Sequence, residues 1–352
     1  MSCGPPRMRG LAAPAAHEEG PAAAPAELPA AVPAAPVEGP LLWPGSGGSG
    51  SFLEACGAAL LQRRELQLAP GSCVRLRETV RLQRNKDALR ITGLGDCVIE
   101  SSAYSAFHLV GRHARLELRN LSVRHVAPTL VGDGSDVGAA ISLMARSVAE
   151  LADVSVVSVS GLGIWLVQSA HLSMRASRVA DCGRSGVAMF GHSSALVEGC
   201  AVSSCAIHGL CARGNTSLAV RDCEVVDCGR RGVYVYQSGE LDMRACHLAR
   251  TRDPSRAAVE AAGSRPGDAV RARVVACRVL QNAGAGVRLR GAVAHELAGN
   301  ECRGNGAADL VVMRGEVNGD YPVALAEPTG VYPVVQAEAV AEQAQATAER
   351  GR

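Results

Sequence analysis

Aromatic side chains are scarce in this chain: Phe, Tyr and Trp together number ten in 352 residues. A core built on large rings is therefore excluded, and any core must be assembled from many small, similar pieces. Charge of one sign is lacking too. The formal net charge is +2, which argues against a dedicated nucleic-acid binder, whose basic patch normally dominates its charge. No uncharged apolar run reaches the roughly 18 residues of a transmembrane helix. The first residues also lack the apolar stretch of about 7 to 15 residues that defines a signal peptide. An odd cysteine count of 13, without the compact framework of a secreted disulfide protein, favours free thiols. A cytoplasmic location is the resulting expectation.

Hydrophobic residues make up 47% of the chain, supplied mainly by Ala, Val and Leu, so a wholly disordered chain is excluded. Residues 1–50 hold ten of the seventeen prolines and end in GSGGSG; such a segment cannot bury enough apolar surface to offset its ordering entropy and reads as a disordered tail. Apolar residues at helical spacing in FLEACGAALLQRREL, from Phe52 to Leu66, predict a short capping helix. The organised domain spans 51–321. A C-terminal tail, 322–352, follows, with a helix expected over Gln336–Glu349.

Self-similarity carries most of the information. Gly163, Gly186, Gly209 and Gly232 are spaced by 23 residues without gaps, and Ala140 lies one period upstream. Apolar residues recur at plus one and plus three (Ile164 and Leu166, Val233 and Val235), then at plus nine and plus eleven (Leu172 and Met174, Leu241 and Met243). A third set holds Cys200, Val202 and Cys205, then Cys223, Val225 and Cys228. Three period-two segments in 23 residues are too short for a helical hairpin repeat, which needs about 33. They fit a right-handed parallel β-helix, an all-β solenoid in which each coil adds one rung to each of three sheets at about 4.8 Å. About nine or ten coils are expected. The insertions at 127–138 and 263–268 are turn-rich and read as loops.

A downstream coil carries Asn300, Cys302 and Asn305 in the places of the Cys-x-Val-x-x-Cys set. Here the sequence resembles the right-handed β-helix repeats of the pectin lyase-like superfamily, whose coil reads Asn-x-Ile-x-x-Asn-x-x-x-Gly-Ile. It looks especially like the intracellular versions in F-box β-helix proteins and SHC-binding proteins, where Cys often replaces Asn. LQLAPGSCVRLRETVRL is similar to the first coil of that superfamily, and the resemblance covers about 54–321. It implies the fold, and one fold hosts many functions.

The cysteines invite a four-thiolate zinc reading, since Cys200-x4-Cys205 is followed by Cys223-x4-Cys228. The repeat offers a competing account. Other coils fill the same two slots with Ser177, Cys246, Thr251, Asn282, Asn300 and Asn305, and the Ala140 coil fills them with Val154 and Val159. These read as inward, stacked, small-residue positions, and no metal site is assigned.

Outward positions of the first strand point toward function. They hold Trp165, Phe190, Arg213, Tyr234 and Tyr236, then Arg288 in a later coil, so four of ten aromatics gather there. Rings beside Arg213, Arg230, Arg231 and Arg288 suit a sugar or peptide partner; a strand preference of rings, covered by the 127–138 loop, is the structural alternative. Catalysis has less support. Glycosidases need two carboxylates about 5–9.5 Å apart, and the outward positions recognised in the repeat contain no Asp or Glu. Asp181, Asp222 and Asp227 read as solvated turn residues, as do Asp133 and Asp136 in the DGSD loop, and His171, His192 and His208 as turn histidines. The expectation is a non-catalytic binding or scaffold module for a protein or glycan partner, with no cofactor, no nucleic acid and no membrane span. The alternative is a polysaccharide lyase, epimerase or hydrolase of the same fold, the only case in which calcium would enter.

Overall fold

A computed structural model describes residues 39–44, 49–127, 138–263, 268–291 and 293–313, with the backbone of Val323–Leu325. The expected N-terminal disorder before residue 39, the DGSD loop and the C-terminal helix lie outside the described residues. No described helix is long and apolar enough to cross a membrane.

The chain coils as a parallel β-solenoid of about eleven turns, slightly more than the repeat alone suggests. Like residues stack 23 apart, as in Ile164 on Val187 and Leu172 on Ala195. First strands, such as Leu162–Leu166 and Arg231–Tyr236, form ten parallel members of an eleven-stranded sheet, whose last strand, Val323–Leu325, pairs antiparallel with Leu310–Met313. Second and third strands, such as His171–Arg175 and Arg178–Ala180, share a single 19-stranded sheet. Three separate sheets were expected. The second and third merge because Arg115–His125 and Val148–Ser158 run as unbroken 11-residue strands through the corner.

From the coil of Leu162–Leu166 onward, each of these corners is turned by one left-handed residue per coil. Ala176, Gly199, Asp222 and Ala245 occupy the first with φ of 45°, 59°, 51° and 52°, and Asp181, Ser204, Asp227 and Arg250 the next with φ of 50°, 54°, 57° and 55°. Asp tolerates this conformation better than most residues, which explains its recurrence there. Asp227 also pairs with Arg250 of the following coil at 2.8 Å; the guanidinium hydrogen bond holds its carboxyl below the usual range.

At these corners the backbone ladder reverses direction, and the cysteine slots resolve what is left over. Gly199 N–H donates forward to Arg221 O, whereas Ala201 N–H donates back to Ser177 O. Between them, Cys200 N–H donates to Cys223 Sγ at 3.4 Å. Elsewhere Ser177 N–H donates to Cys200 Sγ at 3.5 Å, Cys277 N–H to Asn300 Oδ1 at 2.9 Å and Thr251 N–H to Asn282 Oδ1 at 3.1 Å. The thiols donate in turn, Cys200 to Glu198 O at 3.1 Å and Cys223 to Arg221 O at 3.0 Å. Ser, Cys and Asn alternate in these slots because each is small and can both donate and accept. Cys200 and Cys223 line one corner, Cys205 and Cys228 the other, all as free buried thiols. Val159 departs from the pattern, being 56% exposed. The interior place there is taken by Ser158, buried and hydrogen-bonded to His125 Nδ1 at 2.8 Å.

The recurrent glycines serve close approach. A Cβ on Gly163 would sit 2.5 Å from Gly186 O and 3.1 Å from Cys182 Sγ, so only glycine fits. The N-terminal end is closed by a helix, Ser49–Gln62, which buries Phe52, Cys56 and Ala59. Full burial of a ring such as Phe52 contributes roughly 1.5–3 kcal/mol. Trp43 meets Phe52 edge-on at 5.5 Å. Trp43 belongs to the strand Leu41–Trp43, which pairs in parallel with Glu65–Leu68, so this part of the segment read as a tail joins the sheet.

Candidate functional site

Outward positions of the eleven-stranded sheet stack in register along the rod. One line runs from His108 through Ser142, Trp165, Ala188, Cys211, Tyr234 and Glu260 to Arg288. A second line runs through Phe190, Arg213, Tyr236, Ala262 and Arg290. All six sequence-predicted residues therefore lie on one face. Trp165 and Phe190 are half-buried, Arg213 is exposed, and Ser142, Ala188 and Cys211 are buried despite pointing outward. Burial pushes the Cys211 thiol up to about 12.

The tyrosines form a stack. Tyr234 and Tyr236 lie parallel with centroids 4.5 Å apart. The Arg231 guanidinium sits 3.9 Å from the centre of Tyr234, and that of Arg213 lies 5.6 Å from the centre of Tyr236. Because Tyr236 occupies one face of Tyr234, Arg231 must cover the other. Tyr234 therefore offers a partner its edge and hydroxyl rather than an open ring face, and burial raises the pKa of both phenols. Among the described residues, neither Trp165 nor Phe190 makes a ring contact with this pair.

Glu260 corrects the expectation of an outward face without carboxylates. It belongs to the strand Ala257–Ala262, sequence AAVEAA, stacked between Tyr234 and Arg288. Two irregularities hid it. The step from Tyr234 to Glu260 is 26 residues and the next, to Arg288, is 28, and the Ala-rich strand lacks β-branched alternation. Glu260 is 2% exposed; its Oε2 accepts from Arg231 Nε at 2.7 Å and lies 3.8 Å from Arg288 Nη1.

His208 and His171 also correct the turn-histidine expectation. Both lie on strands, His208–Arg213 and His171–Arg175, while His192 does sit in a turn. His171 Nδ1 is 2.8 Å from Ser194 Oγ. His208 packs against Tyr234 at 5.4 Å. Burial, reinforced by Arg231, Arg230 and Arg256, lowers its pKa to about 3, so it stays neutral.

Beside Glu260 lies a pocket of about 310 Å³ lined by Arg256, Glu260, Arg288, Arg290, Val311 and Met313. Among the described residues, no three His, Cys, Asp or Glu side chains gather as a metal cage.

Residues 105–265 match the family described as the right handed beta helix region. No curated protein sequence matches the chain. Among solved structures, the periplasmic alginate epimerase AlgG is similar, with 10% identity and a TM-score of 0.50, and a point mutant of it with 8% identity and 0.53. Each similarity covers 73% of this chain and 66% of the epimerase, just under two thirds of its length. The pectate lyase Pel9A is also similar, at 9% identity and a TM-score of 0.39, over 72% of this chain and 69% of the lyase. Stacked register, per-coil corners and the family match agree: residues 105–265 are a right-handed β-helix region, within a solenoid that continues on both sides.

Proposed function

We propose that this chain is a non-catalytic glycan-binding β-helix that holds an extended sugar chain lengthwise along the outward face of its eleven-stranded sheet. The observation that carries the reading is the spacing on that face. Trp165 and Tyr234 stand three rungs apart, about 14 Å at the strand spacing, with only Ala188 and Cys211 between them in line. A half-buried indole followed by two small side chains and then phenol and guanidinium donors suits a ligand with apolar ring faces and polar edges. The structurally similar epimerase is named for alginate, a carbohydrate; that likeness carries the fold, and the sugar is inferred from the face.

Trp165→Ala is expected to weaken glycan retention, measured on an oligosaccharide array and by affinity electrophoresis, by at least tenfold while leaving the circular dichroism spectrum intact. Unchanged retention would sink the reading. If the alanine variant fails to fold, Trp165→Phe tests the same ring.

One observation favours a second reading, an epimerase, lyase or hydrolase: Glu260 lies 3.8 Å from Arg288 beside the pocket. Glu260 is nevertheless buried and committed to Arg231, and it is the only carboxylate on the outward line of the described strands. Two carboxylates are normally required for glycoside hydrolysis. Release of unsaturated or reducing ends from alginate or pectate by the wild type, abolished by Glu260→Gln, would replace binding with catalysis.

A further inference from the structure

The pocket beside Glu260 has a chemistry of its own. Three guanidiniums, Arg256, Arg288 and Arg290, share it with a single carboxylate, and that carboxylate accepts its close hydrogen bond from Arg231, which is itself outside the lining. Two of the pocket's donors are also unused within the described protein: Nε of Arg256 and Nε of Arg288 are both buried without a hydrogen-bond partner. Arg256 Nε meets Asp253 only at 3.9 Å, and Arg288 commits Nη1 to Ser255 O at 2.9 Å. A buried donor without a partner is destabilising, and a bound oxyanion would supply the missing acceptor. Val311 and Met313 supply an apolar wall.

We infer that this pocket is a subsite for a tetrahedral oxyanion ester, a phosphate or sulfate group, carried on the sugar chain. Carboxylates are flat, and their two oxygens satisfy one arginine fork; phosphate and sulfate esters present three terminal oxygens in three directions. Three arginines arriving from two strand positions and a preceding turn match the second geometry. Arg288 lies five rungs from Trp165, about 24 Å, so one extended ligand can reach both. The inference rests on the glycan reading only in placing the ester on a sugar.

The test titrates the full chain calorimetrically, at constant ionic strength, with glucose 6-phosphate, glucose 6-sulfate and glucuronate. At least one ester is expected to bind ten or more times tighter than glucuronate, and the tighter ester identifies the source. If it is the phosphate, binding weakens below pH 6 as its second proton returns. The double variant Arg256→Ala/Arg290→Ala should lose at least tenfold for the ester with an unchanged circular dichroism spectrum. Equal affinity for glucuronate, or an unaffected double variant, overturns the subsite. Retention of a neutral oligosaccharide that depends on Trp165, with no gain from the ester, also overturns it and leaves the glycan reading intact. Ester binding lost in the double variant, in a chain that retains no oligosaccharide, upholds the subsite and removes the glycan reading.

Discussion

The two halves of the outward face are built from the same strand positions and are held by different forces. From Trp165 to Tyr236 the coils keep a strict 23-residue step, and the face is made of rings, small side chains and guanidiniums laid over rings. On either side of Glu260 the step lengthens, before returning to 23 residues past Arg288, and the face becomes a buried ion pair with an arginine pocket. Length and chemistry change together for a structural reason. The extra residues of the lengthened coil fall between Thr251 and Ala257, and they bring Asp253, Ser255 and Arg256 beside the face. A regular coil leaves its outward strand to its own side chains; an irregular coil adds neighbours to it and encloses charge.

Removing Glu260 should break the second half outright. Glu260→Ala leaves Arg231, whose side chain is 6% exposed, without its counter-charge, and loss of one partner of a buried pair costs roughly 3–5 kcal/mol. Urea denaturation would measure it. Glu260→Ala/Arg231→Met should recover most of the loss, because no uncompensated charge is then buried.

His208 sharpens the junction between the halves. Its folded pKa, about 3, lies below the roughly 6.5 of an unfolded histidine, so between those values the unfolded chain binds the additional proton. Stability from this group is full above about pH 6.5 and falls as pH drops toward 3, by about 1.4 kcal/mol per pH unit. Between pH 7 and 4.5 the wild type should lose about 2–3 kcal/mol more than His208→Gln. Parallel losses in the two proteins would show that His208 is protonated in the fold. The smallest effect belongs to Arg213, exposed over Tyr236: Arg213→Gln should cost under about 1 kcal/mol, read as a small shift in thermal midpoint.

Much of the fold was legible in the sequence because a gapless period needs only a few recurring positions to reveal it. Gly163, Gly186 and Gly209 mark backbone contacts too close for a Cβ, and Cys200 and Cys223 mark the corners. The polar work of those cysteines was less legible. Their burial follows from stacking, whereas accepting a backbone N–H depends on the ladder reversing at a left-handed residue, which composition does not announce. On the face, the six predicted residues share one surface because register preserves strand position. The sequence places Arg231 beside the rings, whereas its stacking over Tyr234 was hidden, since Arg231 precedes the regular outward positions. Glu260 was hidden more deeply: its coil breaks the period and its strand is mostly alanine.

The corners have a consequence for how such a molecule can change. The coils that start at Gly163, Gly186, Gly209 and Gly232 turn through the same three left-handed positions, one of them at Gln168, Gly191, Gly214 and Gln237. The interval from Gly186 to Gly209 can thus be excised or duplicated with both joints still matching, shortening or lengthening the rod by one step of about 4.8 Å. Substitution alters what a rung carries, while gain or loss of a coil alters the distance between Trp165 and Arg288. The solenoid is in this sense a ruler with removable divisions, and the reach between its indole and its arginines is set by coil number rather than by any single side chain.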